Sequence, residues 1–211
     1  MAAVLLLAAH GTRSAAGSAT TAAFAAAVQA ARPDMPVELC FLDVARPSLA
    51  DALPAPSVAA VVVPFLLSAG YHVTTDIPAV VAGRDGVRVA RHLGPDPAVI
   101  AAVADRLGPV ADPATVLLAT VPSSRQTARD EIARAADLLA ARLGRPVRVL
   151  TLGGSTPLPD GPLAIASYLL AEGDFLDALR TRVGARGVVA DPIGTHPAVV
   201  DLVWARYDEV S

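Results

Sequence analysis

Four histidines occur in 211 residues, and two of them stand where a sheet would present them for chemistry. His10 ends the apolar run Val4–Ala9 and starts the turn His10-Gly11-Thr12-Arg13, which sets a hydroxyl and a guanidinium beside the imidazole. His72 follows Val63-Pro64-Phe65-Leu66-Leu67-Ser68-Ala69-Gly70-Tyr71, again just past an apolar run. Asp43 comes directly after a third run, Val37–Leu42. If these runs are parallel strands, all three groups reach the carboxyl-terminal edge of one sheet, where ligands of open α/β folds bind. Two imidazoles and a carboxylate can hold a divalent ion, and ligand type alone does not choose among Fe2+, Co2+, Ni2+ and Zn2+. The set leaves coordination positions open, as an ion in transit requires. Each residue also has a plainer reading: His10 as a loop cap, Asp43 as the ion-pair partner of Arg46. His92 and His196 read as loop or cap residues, and Asp76, followed by Ile77-Pro78, as a helix N-cap.

The elements that must position these groups alternate. Val4–Ala9, Val37–Leu42, Val58–Phe65 and Val87–Ala90 are short, rich in Val and Leu, and bounded by Pro, Gly or charge, which predicts strands. Near-continuous apolar runs suit parallel strands covered on both faces. Helices are expected over Ser18–Ala31, Pro47–Leu53, Asp76–Ala82 and Pro97–Leu107. This is the pattern of an α/β fold with right-handed crossovers.

The second half repeats the plan, with strands expected at Val116–Thr120, Val147–Thr151 and Leu163–Tyr168 and a helix over Gln126–Arg142. The loop starting at His92 aligns with the loop starting at Pro192. Phe65–Gly70 aligns with Ser167–Gly173 if one residue is inserted. The predicted organisation is therefore two repeats, 1–110 and 111–211, joined through Gly108–Pro113. The copies differ where chemistry is concerned. Ala9-His10-Gly11-Thr12-Arg13 stands opposite Thr120-Val121-Pro122-Ser123-Ser124-Arg125, and Gly70-Tyr71-His72 opposite Gly173-Asp174-Phe175. One copy holds both imidazoles and the other neither, which suggests one shared task.

Composition bounds the rest. The net charge of −3 gives no basic field for nucleic acid. All 17 cationic residues are arginine, so Schiff-base lysine and Walker-type phosphate chemistry are excluded, and carboxylates would be met by arginine forks and backbone amides. Cys40, the one cysteine, reads as a buried inert thiol, so any metal must be held by His, Asp or Glu. A reducing cytoplasm is the expected compartment. The longest apolar run, Val58–Leu67, contains a proline and is about half of what a bilayer span needs. The opening stretch Ala2–Ala9 has no basic residue before it and reads as a buried first strand instead of a leader.

Three motifs, taken together, carry a resemblance. Leu6–Arg13, then Phe41-Leu42-Asp43 with Pro47-Ser48-Leu49, then Val63–Val73 leading to Asp76-Ile77-Pro78 look like the small class II chelatases that act on sirohydrochlorin. The divergent second half resembles the longer, internally duplicated members. The resemblance implies two tandem chelatase-like three-layer α/β domains, each with a mostly parallel four-stranded sheet, and a macrocycle held in the cleft between them. It implies that His10 and His72 are the metal-binding and catalytic pair, assisted by the acid after the second strand. That acid is commonly glutamate in the family; here it is Asp43. Thr12, Arg13, Arg46, Ser68 and Arg125 are the expected contacts to the polycarboxylate ring. The divalent metal is a substrate, with Fe2+ favoured and Co2+ or Ni2+ as alternatives, and no organic cofactor, nucleic acid or membrane partner is expected. A monomer is expected. Two rival readings stand beside this one. A histidine phosphatase would need arginine before the histidine, where this chain has Ala9. A non-catalytic metal or tetrapyrrole carrier on the same fold would bind the ring without turnover.

Overall fold

The computed structural model of the chain describes residues 3–154 and 156–211. Met1, Ala2 and Ser155 lie outside them, so the opening apolar stretch is described from Ala3 onward. Within the described residues eight strands form two parallel sheets of four. The first sheet holds β1 (Val4–Ala9), β2 (Val37–Phe41), β3 (Ala60–Phe65) and β4 (Val87–Val89) in the order β2-β1-β3-β4. The second holds β5 (Thr115–Thr120), β6 (Val147–Thr151), β7 (Leu163–Ser167) and β8 (Gly187–Val189) in the equivalent order β6-β5-β7-β8. All pairings are parallel, so the expectation of mostly parallel sheets holds in full.

Among the described residues seven α-helices connect them: α1 (Ala15–Ala31), α2 (Leu49–Ala52), α3 (Ile77–Val81), α4 (Pro97–Leu107), α5 (Gln126–Leu143), α6 (Asp174–Val183) and α7 (Pro197–Asp208). Helix α1 starts at Ser14, whose side chain accepts from the Gly17 amide, a few residues before the expected start. Ser48 caps α2 reciprocally with Asp51, so Pro47 lies outside the helix.

Because side chains alternate along a strand, each sheet feeds two cores. Leu6, Ala8, Cys40, Val62 and Ile77 form the outer core of the first sheet, Leu117, Ala119, Ile165 and Leu176 that of the second. Leu5, Leu7, Val61 and Val63 face inward and meet Val116, Leu118, Ala164 and Ala166 across a shared layer of α1, α4, α5 and α7. Each sheet is thus covered on both faces, and the inner layer belongs to both. Burial of Cys40 among apolar side chains pushes its thiol up to about 12, so it stays protonated and inert.

The inner layer is crossed. Helix α4, the last of the first repeat, packs on β7, and α7, the last of the second, packs on β3. Trp204 of α7 donates its indole N–H to Val28 of α1 at 3.0 Å, and Tyr207 donates to Ala3 at 2.6 Å. In return Arg106 of α4 donates to the Ile193 carbonyl at 3.0 Å. Arg206, only 6% exposed, pairs with Asp96 at the head of α4 at 2.7 Å.

Strand register corrects one sequence alignment. Val4 pairs with Ala60 as Thr115 pairs with Leu163, and Leu93 bonds to Leu66 as Ile193 bonds to Leu169. Phe65 therefore corresponds to Tyr168, and the stretch to Gly70 and Gly173 needs no inserted residue. The run of leucines in both copies made the wrong frame look as good as the right one.

Candidate metal and macrocycle site

His10 leaves β1 at its carboxyl end, and the backbone turns at once. Gly11 has φ +94°, and a Cβ there would lie 2.2 Å from the Asp43 carbonyl oxygen. Only glycine allows this approach, which is locked by the Asp43 amide donating to the His10 carbonyl at 2.9 Å.

His72 is reached by a longer route. After β3 the chain runs through Leu66–Tyr71 and enters one turn of π-helix, His72–Asp76, that continues into α3. The expectation that Asp76 caps a helix is wrong. Its backbone is helical, it makes no capping bond, and its carboxylate lies 2.6 Å from His72 Nδ1. A carboxylate only accepts, so Nδ1 is the donor, and in the neutral ring the lone pair lies on Nε2. The His72–Asp76 spacing of four was visible in the sequence, but Asp-Ile-Pro reads equally well as a helix start.

The two imidazoles converge as expected, with ring centroids 4.7 Å apart and planes inclined at 47°. Crowding by protein atoms lowers the His10 pKa from its ordinary value, repulsion from His72 adds to this, and Asp43 pulls weakly the other way. Both rings open into a cavity of about 450 Å³ between the repeats. Thr12, Ser68 and Tyr71 line it from the first repeat, and Thr120, Val121, Ser123, Ser124 and Tyr168 from the second. Its walls meet closely, since a Cβ on Gly17 of α1 would lie 2.6 Å from the Glu172 carbonyl oxygen.

The other expected residues are distributed more loosely. Asp43 is exposed beside His10, and its carboxylate accepts from the Val44 amide at 2.7 Å. Among the described residues no three His, Cys, Asp or Glu side chains cluster closely enough to hold a metal ion, so Asp43 forms no such cluster with the two histidines. Arg46 pairs with Asp51 at 2.9 Å, not with Asp43. Arg13 is exposed at the start of the α1 turn. Arg125 crosses from the second repeat to Tyr71, its guanidinium carbon 5.3 Å from the ring centroid. His196 does cap α7, accepting from Ala198. His92 does more than cap a loop: its Nε2 lies 3.1 Å from Glu131 of α5. Nothing in the sequence joins residues that far apart.

The register fixes what replaces the pair in the second repeat. His10, Asp43 and His72 correspond to Val121, Gly153 and Phe175, and Phe175 packs against the bare Gly153 backbone. No described helix is long and apolar enough to cross a membrane.

Comparison with solved structures gives the same architecture. SirB from Bacillus subtilis, solved with Fe3+, is 24% identical with a TM-score of 0.79 over 99% of this chain and 95% of that one. The sirohydrochlorin chelatase SirB from Bacillus subtilis subspecies spizizenii, in complex with cobalt, gives 23% and 0.79 over the same shares. A multi-domain protein of Deinococcus radiodurans with structural similarity to chelatases gives 24% and 0.67 over 97% of this chain and 54% of that one. At these identities the likeness establishes the fold. No curated protein matches the sequence. The CbiX family matches residues 4–110, half of the chain and the half that holds both imidazoles, and the chain belongs to that family.

Proposed function

We propose that this protein is a sirohydrochlorin chelatase, which exchanges two pyrrole N–H protons for one divalent metal ion. The observation that carries the reading is the His10–His72 pair, 4.7 Å apart and open to a cleft between the repeats. The resemblance in fold to SirB, solved with iron and with cobalt, supports it. The repeat 1–110 carries the metal pair and the repeat 111–211 the opposite wall.

In this mechanism His10 and His72 strip water from the ion and aim it at the ring. The ion is a substrate, so a donor set short of full coordination suits its release. His10 stays neutral near neutral pH because its cation is disfavoured where it sits. Asp43 assists from beside His10 by attracting the protons released from the ring, without ligating the ion. Thr12 and Ser68 in the lining, with Arg13, Arg46 and Arg125 around it, meet the carboxylates of the macrocycle. Fe2+ is the leading ion, ahead of Co2+ and Ni2+, and the protein works in the cytoplasm as a monomer without an organic cofactor.

The test is anaerobic insertion into sirohydrochlorin followed by absorbance, with Fe2+, Co2+ and Ni2+ in parallel. His10→Ala and His72→Ala each abolish turnover above the uncatalysed rate. Binding of the ring without acceleration would identify a carrier instead and overturn the proposal.

A further inference from the structure

The segment that carries His72 is held from the opposite repeat, and the grip runs one way. The Ala69 amide, three residues before His72, donates to Glu131 Oε2 at 2.6 Å. The Ala69 carbonyl accepts from Thr127 Oγ1 at 3.2 Å, and the Leu67 carbonyl from the Tyr168 hydroxyl at 3.0 Å. Thr127 and Glu131 lie on α5, and Tyr168 follows β7. All three belong to the second repeat.

By strand register the reciprocal positions in the first repeat are Ala16, Thr20 and Phe65. Ala16 and Phe65 have no hydroxyl, and the Thr20 hydroxyl donates back to Ala16 within its own helix. The equivalent segment of the second repeat, Leu170–Gly173, instead meets α1 by close approach at Gly17. Side-chain hydrogen bonds from the opposite repeat thus reach the segment that leads to an imidazole, and the segment that leads to Phe175 has a steric contact in their place.

Glu131 is the hub. Its side chain is 28% exposed, and besides Ala69 it engages His92, whose neighbour Leu93 bonds to Leu66 at 2.9 Å. One carboxylate therefore ties both loops behind the His72 segment to the long helix of the other repeat.

We propose that Glu131 is a positioning residue for the metal site, fixing through the Ala69 amide where His72 sits relative to His10. This rests on the reading of that pair as metal ligands. Outer groups that orient ligands typically change metal affinity about 10–100-fold when removed, and Glu131 acts one step further back, so the low end applies.

The experiment is titration of the full chain with Co2+ alone, read by visible absorption, with a thermal melt of each variant. Glu131→Ala raises the Co2+ dissociation constant about tenfold. Glu131→Gln, which keeps an acceptor for the Ala69 amide, recovers most of the affinity. Thr127→Val, a change at an exposed hydroxyl, gives a smaller loss in the same direction and serves as the test if Glu131→Ala does not fold. A lowered melting temperature with unchanged Co2+ affinity well below it would mark a purely structural role and overturn the proposal. Co2+ binding that His72→Ala leaves untouched would instead sink the ligand reading beneath it.

Discussion

His72 and Asp76 are joined Nδ1 to Oδ2 at 2.6 Å across a single turn of π-helix. That bond fixes the tautomer of one of the two rings that define the site, and it fixes the direction in which the other nitrogen points. Extra-residue turns of this kind often sit at functional sites, and here the turn sets His72 and Asp76 one above the other.

Asp76→Ala frees the His72 ring and lets either nitrogen carry the proton. Metal affinity falls about 10–100-fold, as for other outer partners of ligating histidines, while α3 keeps its place through buried Ile77. Calorimetric titration with Co2+ and a far-ultraviolet circular dichroism spectrum check both halves; unchanged affinity would refute the role.

The lowered pKa of His10 has a definite sign. In the metal-free fold its cation is disfavoured, so the ring titrates below its ordinary 6.5. The unfolded chain then binds the extra proton more readily, and this group's share of stability is full above pH 6.5 and lost as pH falls below it. Proton resonance titration of the metal-free protein places the His10 midpoint under 6.5. A midpoint at or above that value would contradict the crowded site.

Gly11→Ala and Gly173→Ala separate turn chemistry from mere glycine content. At Gly11 the backbone is left-handed and a Cβ strikes the Asp43 carbonyl, whereas at Gly173 nothing lies within 4 Å. Gly11→Ala costs at least the roughly 1–3 kcal/mol of a strained non-glycine residue and displaces His10, so insertion falls with stability. Gly173→Ala leaves both unchanged. Denaturant melts and initial rates report the contrast.

Arg206→Ala breaks a pair that is almost fully buried on the arginine side and touches Asp96, Glu209 and the His92 carbonyl. Removing one partner of a buried pair costs about 3–5 kcal/mol. Since Arg206 lies on α7 and Asp96 heads α4, the loss loosens both exchanged helices together. A chemical denaturation midpoint reads it.

Much of this was legible in the sequence, for identifiable reasons. Strands such as Val4–Ala9 and Ala60–Phe65 are buried on both faces, so their apolar runs are unbroken and easily read. The shared edge of His10 and His72 followed from strand ends alone. Glu131 was not legible, because its bond to Ala69 depends on how two repeats dock and leaves no local pattern. The plainer alternative of an Asp43–Arg46 pair does not form, because the Ser48 capping box sets Asp51 within reach of Arg46. The helix exchange was invisible for the same reason as Glu131: α4 and α7 have ordinary helical sequences, and nothing in them says which sheet they cover.

That exchange bears on how the chain comes off the ribosome. Tandem domains generally fold in turn, the first while the second is still being made. Here the first sheet has all its strands by Val89, yet α7 (Pro197–Asp208), which joins α1 in covering β3, is made only after every strand of the second sheet. The nascent chain must therefore carry an unfinished apolar face throughout synthesis of its second repeat, and a truncated product would expose it to chaperones and proteases. The first repeat is finished only by the last helix of the second.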